Sequence, residues 1–187
     1  MPYPSYCTQI DSTGNGHYRC GGACLASVLL DDGWQSDPWG LTVQVSDEEG
    51  WTDVGCTSDQ MIDAAQRRGL NGRKFTYWEE LEDALLAGEA PLLLLNNVFL
   101  VPRSYPPGHG WESLHWVRCA AFSNRDDMLY LYDPLTWIQQ LDGSVYQGPV
   151  ASTQEGCTQA IATTSWPEAG VILTSTTGRN LNFSPVD

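Results

Sequence analysis

Cysteine and histidine can act as a pair when fold and charge make the thiol ionise, and this chain places one of each where that would happen. Cys20 follows the loop Asp11-Ser-Thr-Gly-Asn-Gly16 and opens Cys20-Gly-Gly-Ala-Cys-Leu-Ala-Ser-Val-Leu-Leu30, an apolar small-residue segment. A thiol attacks as thiolate, and a helix N-terminus and a neighbouring imidazolium both lower its pKa. The loop-to-helix junction gives Cys20 the first device. Gly21 and Gly22 are expected to leave room for a substrate backbone beside it and to offer unobstructed amides.

The second device needs a histidine distant in sequence and close in space. His115 begins the apolar run His115-Trp-Val-Arg-Cys-Ala-Ala-Phe122, and Met128-Leu-Tyr-Leu-Tyr-Asp-Pro134 follows a turn at residues 123–126. Antiparallel pairing returns Asp133 to within a residue or two of His115. A carboxylate there would accept the imidazole N–H, fix its tautomer and favour its charged form, which is the orienting role in a nucleophile, base and orienter triad.

Other residues compete for these roles. His109, in Pro106-Pro-Gly-His-Gly110, is a rival base, although a histidine at such a bend is commonly a solvated turn residue. Cys7, His17, Cys20 and Cys24 include enough donors for a zinc site, but the usual Cys-x-x-Cys knuckle is missing. Cys24, Cys56, Cys119 and Cys157 read as packing thiols or disulfide partners. His115 itself could be a satisfied core histidine, and Asp133 before Pro134 could do no more than end its strand. Trp111 and Trp116 flank His115, and one of them is placed to wall the cleft.

Several elements must position these groups. The segment from Cys20 to Leu30 is predicted as a buried helix with Gly33 as its C′ residue. Thr57-Ser-Asp-Gln60 is a capping-box pattern ahead of a helix lined by Met61, Ile62, Ala64 and Ala65 and stopped at Gly69. Thr76-Tyr-Trp-Glu79 repeats the pattern for a helix ending at Gly88. Residues 91–95 read as a strand buried on both faces, residues 96–114 as a long loop, and residues 115–134 as a hairpin. A weaker helix over about 153–164 and a strand over 170–174 precede a polar tail. Helices first and an antiparallel sheet second is α+β order.

With those residues in view, the chain resembles the papain-like cysteine peptidases of the bacteriocin-processing, double-glycine type and their phage and bacterial relatives. The likeness rests on Tyr6-Cys-Thr-Gln9 ahead of a loop, the box from Cys20, His115-Trp-Val117, and Asp133-Pro134. It implies a papain-like fold in which a buried central helix in an N-terminal helical half packs on a C-terminal antiparallel sheet. It also implies Cys20 as nucleophile, His115 as base, Asp133 as its orienter and Gln9 as donor to the oxyanion. Two features depart from the pattern: Gly22 stands where the family usually has Pro, and Gln9 lies 11 residues before Cys20, which makes Asn15 a competing donor. No transporter segment is present in the chain, so the exporter form of the family is not expected.

The remaining expectations come from composition. The 187 residues suit one domain, with a helical part over about 1–90, a sheet part over about 91–175 and a tail over 176–187. With 23 acidic against 9 basic residues the net charge is −14, so a nucleic-acid or anionic-membrane partner is not expected. The run from Ala90 to Val101 is too short and too polar for a span, and Met1 to Tyr6 has no secretory signal character. A cytoplasmic protein, or a virion-associated one if it is phage-encoded, is expected, with no cofactor or metal. The triad reading and the resemblance, rather than composition, imply a cysteine peptidase acting on a protein precursor or a peptidoglycan crosslink. The alternatives are a catalytically silent papain-like protein, for instance a virion component with a protein partner, and a thiol amidase or acyltransferase using the same triad.

Overall fold

The computed structural model describes residues 5–9, 18–96, 114–123, 125–135 and 149–182. Asn15, His17, His109, Trp111 and most of the 96–114 loop lie outside these residues, as do residues 183–187 of the tail.

Helix α1 (Cys20–Asp31) is buried from Cys20 through Leu29, as a helix apolar on every face must be. It ends as the sequence predicts. Gly33, at φ 101°, donates to Leu30 O and Trp34 N–H to Leu29 O, a Schellman pair that needs a left-handed residue at C′. Helix α3 (Ser58–Arg67) carries the predicted capping box: Gln60 N–H donates to Thr57 Oγ1, and Thr57 N–H to Gln60 Oε1 at 2.8 Å. Helix α4 (Trp78–Leu86) starts one residue later than the pattern suggested, because Glu80 rather than Glu79 accepts from the Thr76 and Tyr77 amides.

Six antiparallel strands form one sheet in the order β1, β6, β2, β3, β4, β5. They are β1 (Leu70–Phe75), β2 (Ala90–Asn96), β3 (Leu114–Ser123), β4 (Met128–Tyr132), β5 (Val150–Thr153) and β6 (Gly170–Ser175). Leu92, Leu94, Trp116, Val171 and Leu173 face α1, α3 and a further helix, α2 (Pro38–Glu49). Leu93, Leu95, Val117, Leu131 and Ile172 face α4 and α5 (Gln154–Ala162). Helices thus cover both faces, and β2 is buried on both sides as its unbroken leucine run requires.

The α+β class holds, with three elements that the sequence reading left unassigned. Helix α2 opens at Asp37, whose side chain accepts from Gly40 N–H at 2.7 Å, with Pro38 in the first turn. Only Leu41 and Val45 give it an apolar stripe; Thr42 and Ser46 fill the rest of the buried face and satisfy their hydroxyls on the carbonyls four residues back. Strand β1 lies in the part of the chain where only helices were expected. It is an edge strand whose middle is polar, so it has no alternating pattern to read. Strand β5, at the other edge, has four residues.

Candidate active site

Cys20 is the first residue of α1, and that helix lies across β3, the strand that carries His115. A buried arginine fixes the crossing. Arg118, three residues beyond His115 and 1% exposed, pairs with Asp31 Oδ2 at 2.7 Å and donates to Ser27 Oγ at 2.6 Å and to Leu181 O. Asp31 and Ser27 are both on α1, so the helix that carries Cys20 is bolted to the strand that carries His115.

The β3–β4 register brings the third group in. Arg118 faces Tyr132, so the ladder extended one step sets Asp133 opposite Val117, two positions from His115. A bulge between Cys119 and Ala121 shifts the register by one residue; without it Asp133 would fall a residue further away, and its side-chain direction would invert. With it, His115 Nε2 lies 2.7 Å from Asp133 Oδ1. Leu135 N–H also donates to that oxygen, at 2.8 Å, which holds the carboxylate in its turn. The other ring nitrogen, Nδ1, is left for Cys20, with which the imidazole shares a hydrogen bond. The structure therefore brings Cys20, His115 and Asp133 together, all three almost wholly buried.

Charge follows the geometry. Burial by itself would raise the Cys20 thiol, but the hydrogen bond and charge of His115, with the Trp116 and Gly21 amides, outweigh it and hold the thiol below its ordinary 9.0. Burial likewise opposes a charged His115, yet the Asp133 carboxylate and Cys20 raise it from 6.5 to about 10. Cys20 stands apart from the other thiols. Burial pushes Cys7 up to about 12 and Cys157 up to about 11, and it drives Cys24, Cys56 and Cys119 upward too. All six cysteines are free.

Gln9 is fully buried beside the turn that carries Asp133, its backbone N–H donating to Pro134 O at 3.2 Å. Of the alternative zinc set, Cys7, Cys20 and Cys24 do not form a metal-holding group, and no such group of three occurs among the described residues. Of the two uses expected of Gly21 and Gly22, the Gly21 amide does reach Cys20, but open space beside the glycines is not found. A Cβ on Gly21 would collide with Cys56 Sγ and crowd Met61 and Trp116, and one on Gly22 would collide with Ser46 Oγ on α2. The space beside them is taken by the protein's own core, so these glycines permit close packing rather than substrate entry. Trp116 is buried beside Gly21, its indole N–H donating to Cys56 O at 3.0 Å. Tyr18 and Leu114, both exposed, adjoin the pair along the chain.

Sequence reasoning missed the Trp116 amide and the Tyr6 hydroxyl, which donates to Asp133 O at 3.1 Å. Neither has a spacing signature, since one acts through its backbone and the other across 127 residues of chain.

No family model and no curated protein sequence matches the chain. Solved structures do. A Bacillus anthracis protein described as a C39-like peptidase superposes with a TM-score of 0.64 at 14% identity, covering 92% of this chain and 94% of its own. The peptidase domain of Streptococcus ComA, a bifunctional ABC transporter involved in a quorum-sensing pathway, gives 0.58 at 15% identity over 93% and 100%. A double-glycine-motif protease from an AMS/PCAT transporter, in complex with a leader peptide, gives 0.52 at 18% identity over 92% and 91%. The chain shares the fold of these peptidase domains nearly end to end.

Proposed function

We propose that this fold carries a cysteine peptidase with Cys20 as nucleophile, His115 as general acid and base, Asp133 as the orienter of His115 and Gln9 as an oxyanion donor. The observation that supports it is the relay from Cys20 through His115 to Asp133, in which one thiol of six is lowered while the rest are raised. Cys20 Sγ attacks the scissile carbonyl, and the S–C bond forms as the carbonyl electrons move to oxygen. Gln9 and a backbone amide hold that oxyanion. His115 gives its Nδ1 proton to the leaving amine as the C–N bond breaks, which leaves a thioester. Water then attacks the thioester carbonyl as His115 takes its proton, and the C–S bond breaks to release the acid and return Cys20 as thiolate. Asp133 keeps the ring in place through Nε2 and offsets the imidazolium charge.

The substrate is a peptide segment. A structure with the same fold holds a leader peptide, which supports a precursor as the substrate. A net charge of −14 disfavours the anionic cell wall, so the precursor reading ranks above the peptidoglycan one. The test is a peptide library digested by the native protein and by Cys20→Ala and read by mass spectrometry. Native cleavage that vanishes in the variant, with the native circular-dichroism spectrum retained, is expected. A cleavage pattern that survives in Cys20→Ala overturns the proposal.

A further inference from the structure

Residues 5–9 lie as a strap between the two halves of the site. At one end Ser5 N–H and Oγ donate to Asp31 Oδ1 at 3.1 and 2.7 Å, and Ser27 Oγ donates to Ser5 O at 2.7 Å, so the strap is tied to α1. At the other end three donors converge on two successive carbonyls of the turn after β4. Tyr6 Oη donates to Asp133 O at 3.1 Å, Thr8 Oγ1 to Pro134 O at 3.3 Å and Gln9 N–H to the same oxygen at 3.2 Å. The Tyr6 ring also packs on Tyr132, with centroids 5.9 Å apart. The carboxylate of Asp133 is meanwhile shared between His115 and Leu135 N–H.

We propose that Tyr6 is a positioning residue: its hydroxyl pins the Asp133 carbonyl, so that the strap carrying Gln9 and the turn carrying the Asp133 carboxylate are held as one body on the helix of Cys20. Oxyanion donor and orienter then keep a fixed spacing whatever moves around them. Thr8 has the same role at Pro134 with a weaker claim, because Gln9 N–H also serves that oxygen. The inference rests on the triad reading above.

The chain contains three histidines, so the His115 ring signals can be assigned by their loss in His115→Ala and titrated by NMR in the full chain. Tyr6→Phe keeps the ring and removes only the hydroxyl. In that variant the His115 titration is expected to move down by about half a pH unit, roughly threefold in its equilibrium, as fits the loss of one neutral hydrogen bond. Peptide turnover is expected to fall about tenfold, in kcat rather than KM, which is the mark of a mispositioned group. Superposed titration curves for Tyr6→Phe and the native chain overturn the inference, as does a lowered melting temperature with an unmoved titration. A native His115 that titrates at its ordinary 6.5 sinks the triad reading itself, and the two failures are thereby told apart.

Discussion

In the proposed triad Cys20 and His115 share one proton across the neutral range, and that pair would set the pH behaviour of the molecule. For the proposed peptidase, the acid limb of kcat/KM is expected to follow protonation of Cys20, below its ordinary 9.0, and the alkaline limb loss of the His115 proton near 10. His115→Ala is expected to lower kcat/KM by about 10²- to 10⁴-fold and to move the acid limb upward, which a pH–rate series from about pH 4 to about pH 11 would show. Stability carries the same signature. The folded pKa of His115 lies above 6.5, so its contribution is complete below that pH and is lost as pH rises through about 10. The folded pKa of Cys20 lies below 9.0, so its contribution is present above that and lost as pH falls through the folded value. Urea midpoints are therefore expected to form a plateau between the two limbs, and the decline near pH 10 should be absent in His115→Ala. The placement of these residues was legible in the sequence because local structure has strong signals there: a small-residue helix start for Cys20 and a strand pair for His115 and Asp133. The space expected beside Gly21 and Gly22 was misread, because a sequence shows that space is needed but not what fills it.

Helix α1 depends on close approach and on one buried ion pair. Gly22→Ala sets a methyl against Ser46 Oγ, and Gly21→Ala sets one against Cys56 Sγ. Each is expected to cost about 1–3 kcal/mol by overpacking, measured by urea denaturation. Arg118→Met leaves Asp31 buried without its cation, and a loss of about 3–5 kcal/mol is expected. An Arg118→Met chain as stable as the native one would mean that α1 is held to β3 by apolar packing alone. At this scale the sequence was clearest where helix ends carry strong signals, as at Thr57 and Gly33, and where a buried strand is a continuous run, as in β2. Helix α2 escaped because its buried face is half hydroxyl. Strands β1 and β5 escaped because edge strands bury little and so need no pattern.

The whole molecule sets the site at the crossing of a helical layer and the middle of a sheet, inside a chain with 14 more acidic than basic residues. That charge acts on encounter rather than on chemistry. For a substrate peptide carrying Lys or Arg, kcat/KM is expected to fall several-fold as salt rises from about 0.02 M to about 0.5 M, while an acidic peptide of the same sequence class gains. Identical salt profiles for the two would place the acidic surface away from the approach path. Among the described residues no helix is long and apolar enough to cross a membrane. The sandwiching of the sheet between two helical layers was not legible, because which face a helix covers is decided by the order of strands, and β1 had not been found. The central claim is the thiolate–imidazolium pair, and its most direct test is the alkylation rate of each cysteine by iodoacetamide from about pH 4 to about pH 9, read by peptide mass spectrometry. Cys20 alone is expected to label fast well below the free-thiol pKa of about 8.5, and this advantage is expected to disappear in His115→Ala. Slow labelling of Cys20, or labelling indifferent to His115, would contradict it.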